Sequence, residues 1–214
     1  MTLQLRLLTS SDVFAELAVI KHNAFRGDQL FESMYPLEDD QMIEWYTEGE
    51  MQDAKNTNLS RVVVVDTETE SIIAYAHWHS PRGSDTVGTT DLKAPPAALQ
   101  PPAGFNAPLR TEFKSCLGEL RKRHWQPETQ FALTTLATHP KHQGRGCARM
   151  LLRWGIEKAN RANASIYLDS TPSATGLYSS MGWLELEKVV IGLDKDKDSQ
   201  PYVITAMIRN PTTL

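Results

Sequence analysis

The chain has 214 residues, 41% of them hydrophobic and 22% charged, with a formal net charge of −4. That length supports one sizeable hydrophobic core, and the composition is that of a globular protein. The lack of a basic excess excludes a general nucleic-acid binder, and no apolar run approaches the roughly 18–20 residues of a membrane span.

At the N-terminus, Leu3, Leu5 and Leu7 alternate with polar residues, the period of a half-buried strand. There is neither the continuous apolar stretch nor the small-residue cleavage pattern of a signal peptide. Thr9 to Asp12 offer capping side chains before Val13, Phe14, Leu17 and Ala18, which recur at helical spacing. A second helix is expected from Pro36 to about Glu50, with Met42, Ile43 and Tyr46 on its apolar side. Arg61–Asp66 and Ser71–His79 are rich in β-branched and aromatic residues around a short polar turn, which predicts a hairpin.

Residues 81–127 hold seven of the twelve prolines, so much of this segment cannot join a sheet. Phe113, Leu117 and Leu120 fall at helical spacing after Pro108. The whole of 1–214 is read as one domain, with 81–128 an insertion that carries one helix and is a candidate acceptor-side lid, a disordered spacer being the alternative. Phe131 to Thr138 then predicts a strand, stopped by His139-Pro140. A polar, glycine-containing loop leads into a helix over Cys147 to Asn163, with Ala148, Leu151, Leu152, Gly155 and Ala159 on one face. A strand at Ser165–Ser170, a short helix at Pro172–Met181 and a hairpin of Trp183–Leu193 with Tyr202–Arg209, turning at Asp194–Asp198, complete the order. Mixed strands with helices between them predict an α/β (α+β) sheet.

Strand, glycine loop and helix together present unpaired backbone N–H groups to an anion. The first helical turn leaves about four N–H groups without internal partners, and the helix dipole adds positive potential there. Gly144 and Gly146 let the backbone approach a diphosphate without an intervening Cβ, and Arg145 is suited to phosphate. The Gly-Lys-Ser/Thr ending of a P-loop and the Gly-x-Gly-x-x-Gly of a dinucleotide fold are both absent. A plain turn into a core helix is the alternative.

The stretch from Leu133 to Leu152 contains Gln143-Gly144-Arg145-Gly146-Cys147-Ala148, followed by Ile166–Asp169, Ala174-x-x-Leu177-Tyr178 and Met181-Gly182-Trp183. It resembles the GNAT family of N-acetyltransferases, whose signatures read Gln/Arg-x-x-Gly-x-Gly/Ala and Ala-x-x-Leu-Tyr-x-x-x-Gly-Phe. Two spaced motifs in the right order carry the resemblance, which covers roughly Phe131 to Leu186.

The resemblance implies a mixed, mainly antiparallel twisted sheet flanked by helices, with a V-shaped split between the fourth and fifth strands. Acetyl-CoA would lie in that split as co-substrate, with no metal. The backbone of Leu136 and Thr138 would pair with its pantetheine arm, and Ala137 between them is counted with the cofactor-binding residues. The amides of Gln143, Gly144, Arg145, Gly146, Cys147 and Ala148 would hold the pyrophosphate, with Thr171 and Ser173 as further polar contacts. An amine attacks the thioester directly, through a tetrahedral intermediate whose oxyanion needs a donor. Tyr178 stands where the family has its general acid, and its unperturbed pKa of about 10 suits protonation of a thiolate.

The base is open. His77 and His79 alternate on one strand and share a face, which makes either a candidate. A His pair two apart also suits metal, but no third ligand is apparent. One histidine satisfied in the core and one at the surface is the commoner explanation of such a pair, and a base relayed by water is the alternative to either histidine.

Three departures from the family stand out. Thr171 replaces a cofactor-contacting Asn, Trp183 replaces Phe, and no Glu occurs between Phe131 and Thr138, where relatives keep a base. Cys147 opens the helix, where its thiol could be activated, but the motif gives that position to a variable residue that packs inward. The expected activity is acetyl transfer to a primary amine, first of all that of a small molecule. A peptide or protein N-acetyltransferase and a coenzyme A sensor without turnover are the alternatives. The only other cysteine is Cys116, so the expected setting is reducing, cytoplasmic with the nucleus left open.

Overall fold

The computed structural model describes residues 2–8, 13–82, 99–193 and 201–212. The capping residues 9–12, residues 83–98 of the proline-rich insertion and the turn at 194–198 lie outside the described residues. The chain runs β1 (Leu3–Leu7), α1 (Phe14–Phe25), α2 (Gln29–Met34), α3 (Asp39–Asp53), β2 (Leu59–Asp66) and β3 (Ser71–His79). It continues through α4 (Ala107–His124), β4 (Phe131–Thr138), a 3₁₀ turn (Pro140–His142), α5 (Cys147–Arg161), β5 (Ile166–Ser170), α6 (Thr175–Ser179), β6 (Leu184–Ile191) and β7 (Tyr202–Arg209).

The strands form one seven-stranded sheet in the order β1-β2-β3-β4-β5-β7-β6. Every neighbouring pair is antiparallel except β4 and β5, which run parallel. Four consecutive valines in β2 are all buried, as a strand covered on both faces requires. Val62 and Val64 enter the core under α5, whereas Val63 and Val65 pack with Phe14, Leu17 and Ile20 of α1.

On the α5 side, Cys147, Leu151, Leu152, Gly155 and Ala159 form the buried stripe. Cys147 takes the inward place expected for Ala148, which instead lines the cleft described below. Gly155 sits directly against the indole of Trp78, so the largest buried side chain of β3 is seated where α5 has no side chain. On the opposite face, α4 is built into a second cluster in which Leu109 and Leu120 meet Tyr167, Tyr202 and Ile204.

Helix α2 was not expected from the sequence pattern. Its first turn is fixed by Asp28, whose Oδ1 accepts from the N–H groups of Leu30 and Phe31 at 3.1 and 3.2 Å. Helix α3 begins at Asp39 rather than Pro36, and its inward stripe is Met42, Tyr46 and the buried carboxylate of Glu50. Arg61 Nε lies 2.9 Å from Glu50 Oε2 and accounts for that burial. No described helix is long and apolar enough to cross a membrane.

Candidate active site

The parallel ladder between β4 and β5 has three rungs, Phe131 with Ile166, Ala132 with Tyr167 and Leu133 with Leu168. Beyond it β4 continues to Thr138 and β5 to Ser170 without pairing with each other. The parting begins where the β3–β4 register jumps, with Thr135 opposite His77 and Leu133 opposite Trp78, so that Thr134 is unmatched. An extra residue of this kind bends a strand and increases its twist. The sheet is therefore split at its centre.

One edge of β4 stays paired with β3 and the other faces the split. The N–H of His139 donates to the carbonyl of Ile73 at 2.9 Å. Antiparallel pairs alternate in their bonding direction, so Ala137 and Thr135 turn their polar groups toward β3, while Leu136 and Thr138 turn theirs to the open edge. Both Leu136 and Thr138 line the resulting cleft. Ala137, between them, does not line it. Its side chain is buried against α1 and its backbone belongs to the β3 ladder, so it does not reach the cleft.

Of the loop after β4, Gln143 and Ala148 line this opening. Gly144 and Gly146 have φ of +74° and +83°, a region that costs an L-residue about 1–2 kcal/mol. Gly146 is the N-cap of α5, and no side chain caps the helix. The first ladder bond past the cap runs from the Met150 N–H to the Gly146 carbonyl at 3.0 Å. The amides of Cys147 and Ala148 precede it and have no acceptor within the helix.

Not every member of the loop contributes as expected. The Gln143 N–H is drawn into the 3₁₀ turn by the Pro140 carbonyl at 3.3 Å. Its side chain lines the cleft instead, with Nε2 3.5 Å from the Thr138 carbonyl. The Arg145 guanidinium turns toward the protein, 2.6 Å from His142 Nδ1 and 3.6 Å from Asp66 Oδ2. Burial pushes the Cys147 thiol up, and its Sγ points at the His142 carbonyl, 3.9 Å away. The cysteine packs inward.

The opposite wall comes from the β5–α6 connection. The Thr171 carbonyl gathers the Ser170 hydroxyl at 2.9 Å, the Thr175 hydroxyl at 3.1 Å and the Ala174 N–H at 3.1 Å. That clasp aims Thr171, Ser173, Leu177 and Tyr178 into a cleft of about 720 Å³. Thr171 Oγ1 and Ser173 Oγ lie 3.2 Å apart. The Tyr178 ring rests on Trp183, centroids 5.7 Å apart, and burial raises its phenol well above the ordinary tyrosine value. Its hydroxyl makes no hydrogen bond among the described residues, so the proton is held and unspent.

The acetyltransferase (GNAT) family model matches residues 31–183, which include the split, the loop and Tyr178. The chain belongs to the GNAT family. This acetyltransferase has the fold of three solved proteins of low identity. One is the histone acetyltransferase HPA2 and related acetyltransferase of Corynebacterium glutamicum, at 23% identity over 100% of this chain and 99% of that one, with a TM-score of 0.60. The C-terminal condensation domain of Ebony, in complex with beta-alanyl-dopamine, is 15% identical over 98% and 99%, with a TM-score of 0.70. The yncA protein of Salmonella typhimurium, with its cofactor acetyl-CoA, is 15% identical over 100% and 96%, with a TM-score of 0.56. No curated protein matches the chain.

The cleft of this GNAT protein has a roof that sequence reasoning missed. Residues Ala24 to Gln29, joining α1 to α2, cross it together with Pro201 and Tyr202. Asp28 ties the two sides, since its Oδ2 accepts from the Tyr202 hydroxyl at 2.9 Å while its Oδ1 caps α2. The spacing of Asp28 before Leu30, Phe31 and Met34 carried the signal, but six residues are too few for a helical period to stand out.

Neither candidate base lines the cleft. His77 is buried, its Nε2 3.1 Å from Glu50 Oε2 but out of line for a hydrogen bond. Burial opposes ionisation of Glu50, yet His77 and then Arg61 hold its carboxyl down to about 2. His79 faces Trp125, ring centroids 6.4 Å apart. Burial, with His77, Arg121 and Arg61 adding to it, lowers the His79 imidazole to about 4. Both histidines nonetheless flank the point where the sheet parts, because His77 is the cross-strand partner of Thr135. Among the described residues no group of three or more His, Cys, Asp or Glu side chains is disposed to hold a metal ion.

Proposed function

We propose that this GNAT protein moves the acetyl group of acetyl-CoA to the primary amine of a small molecule. The observation that carries the reading is the uncapped start of α5, flanked by Gly144 and Gly146, at the open end of a split whose far wall presents the Tyr178 hydroxyl. The open-edge polar groups of Leu136 and Thr138 suit a pantetheine arm lying along β4 as an added strand. The amides of Gly144, Gly146, Cys147 and Ala148 suit its diphosphate.

The chemistry balances with the groups present. The amine nitrogen forms a bond to the thioester carbon, and the carbon–sulfur bond breaks. The hydroxyl of Tyr178 gives its proton to the departing sulfur, and the open-edge amide of Leu136 donates to the carbonyl oxygen as it gains charge. The amine proton leaves toward the β3 side, where neutral His79 accepts it through water. Thr171 and Ser173 offer hydroxyls on the far wall.

A small acceptor fits an opening roofed by residues 24–29 and Tyr202. The Ebony domain, whose fold is similar, holds beta-alanyl-dopamine. Cys116 and Cys147 are free thiols, in keeping with action in the cytoplasm. A thiol-release assay with acetyl-CoA over a panel of small amines and peptides tests the proposal. Turnover with small primary amines is expected. Turnover only with peptides would move the acceptor class, and binding of acetyl-CoA without turnover on any amine would make the protein a sensor.

A further inference from the structure

Asp66 ends β2, 79 positions before Arg145 in the chain. Only 1% of it is exposed. Its Oδ1 is used by the β2–β3 turn, accepting from the Glu68 N–H at 3.2 Å. Its Oδ2 is buried and has no hydrogen bond. A buried carboxylate oxygen in that state needs a nearby opposite charge, and Arg145 Nη2, 3.6 Å away, is its ion-pair partner.

The other end of the guanidinium meets His142 Nδ1 at 2.6 Å. Arginine can only donate, so this imidazole nitrogen is an acceptor and carries no proton. His142 ends the 3₁₀ turn and Arg145 lies between Gly144 and Gly146, both at positive φ. The side chain in the middle of the glycine loop is thus strapped to the sheet on one side and to the preceding turn on the other.

We infer that Asp66 and His142 are positioning residues for the donor diphosphate: by drawing the Arg145 guanidinium back, they fix the two glycine conformations that aim the loop amides into the cleft. The inference rests on the proposed donor reading. It gives Arg145 a role opposite to the one its type suggests, since the phosphate charge is met by backbone amides and the guanidinium holds the frame. Two glycines flanking one residue are loose by themselves, and a tether at that residue removes most of the freedom that would be lost on binding.

Calorimetric titration with coenzyme A at constant salt, on Asp66→Asn, Arg145→Gln and the double variant, tests this. Each single variant is expected to raise Kd about ten-fold, and the double variant to be no worse than either single one, because both act through one strap. Competition by acetyl-pantetheine, which lacks the diphosphate, is expected to be unchanged in all three. If Arg145→Gln fails to fold because it leaves Asp66 alone, the charge-free double variant gives the reading. Asp66→Asn binding coenzyme A as well as or better than the parent, with Arg145→Gln weakened, would make Arg145 itself the phosphate ligand and overturn the inference. Equal losses with coenzyme A and acetyl-pantetheine would also overturn it. A parent protein that does not bind coenzyme A would remove the donor reading instead.

Discussion

Leu133 faces Leu168 in the last rung of the only parallel ladder among the described residues, and past that pair β4 and β5 separate. The opening is a property of strand pairing, so its walls are rigid elements. Tyr178 and the α5 amides are held across it by the same core that seats α5 and α6 on the sheet. The proposed proton donor and the proposed donor site can therefore be perturbed one at a time.

Tyr178→Phe should keep the ring against Trp183 and lose only the hydroxyl. A general acid of this kind contributes roughly 10²–10⁴-fold. We expect kcat to fall by about two orders of magnitude, with acetyl-CoA affinity changed less than about three-fold. Steady-state rates beside a titration of the same variant check this. Undiminished kcat would remove Tyr178 as proton donor.

Stability should depend on pH through His79. Its imidazole is pulled to about 4 by burial and then by His77, Arg121 and Arg61, whereas an unfolded histidine titrates near 6.5. Between those values the unfolded chain takes up a proton that the folded chain refuses. This contribution is complete above about pH 6.5 and is lost as pH falls toward about 4. At about pH 5 the loss is on the order of 2 kcal/mol. The Glu50 carboxyl, held at about 2, loses its contribution only at lower pH. Urea midpoints at about pH 7.5 and about pH 5 should differ less in His79→Gln than in the parent. An equal drop in both proteins would refute this assignment.

Gly155→Ala tests the packing that backs the site. A Cβ there falls inside the contact distance of three carbons of the Trp78 ring, and backbone and indole cannot both stay in place. Overpacking of this kind costs about 1–3 kcal/mol, a drop in melting temperature of roughly 3–10 °C for a chain of this size. Thermal unfolding followed by circular dichroism reads it out. An unchanged melting temperature would mean that the helix and Trp78 are less tightly apposed.

The strands and longer helices were legible because their periods are strong, as in Phe131–Thr138 and in the α5 stripe through Leu151, Leu152 and Gly155. The glycine loop was legible because Gly144 and Gly146 bracket a helix start. What escaped the sequence depends on pairing between distant segments. That Ala137 turns away from the cleft follows from the unmatched Thr134, and a bulge leaves no local mark. The roof at Asp28 and Tyr202 joins residues 174 positions apart, and the strap from Asp66 to Arg145 joins the end of one strand to a loop far along the chain. His77 and His79 share a strand face as alternation requires, yet the sequence gives no hint that Glu50 on α3 lies against one of them.

The direct test of the central claim is calorimetric titration of acetyl-CoA into the parent protein and into Gly146→Asp. Gly146 sits at φ +83° at the uncapped start of α5, so aspartate would add both backbone strain and a negative charge facing the diphosphate. The account predicts one-to-one binding by the parent and a loss of at least about ten-fold in affinity in the variant. Parent-like affinity in Gly146→Asp would contradict it.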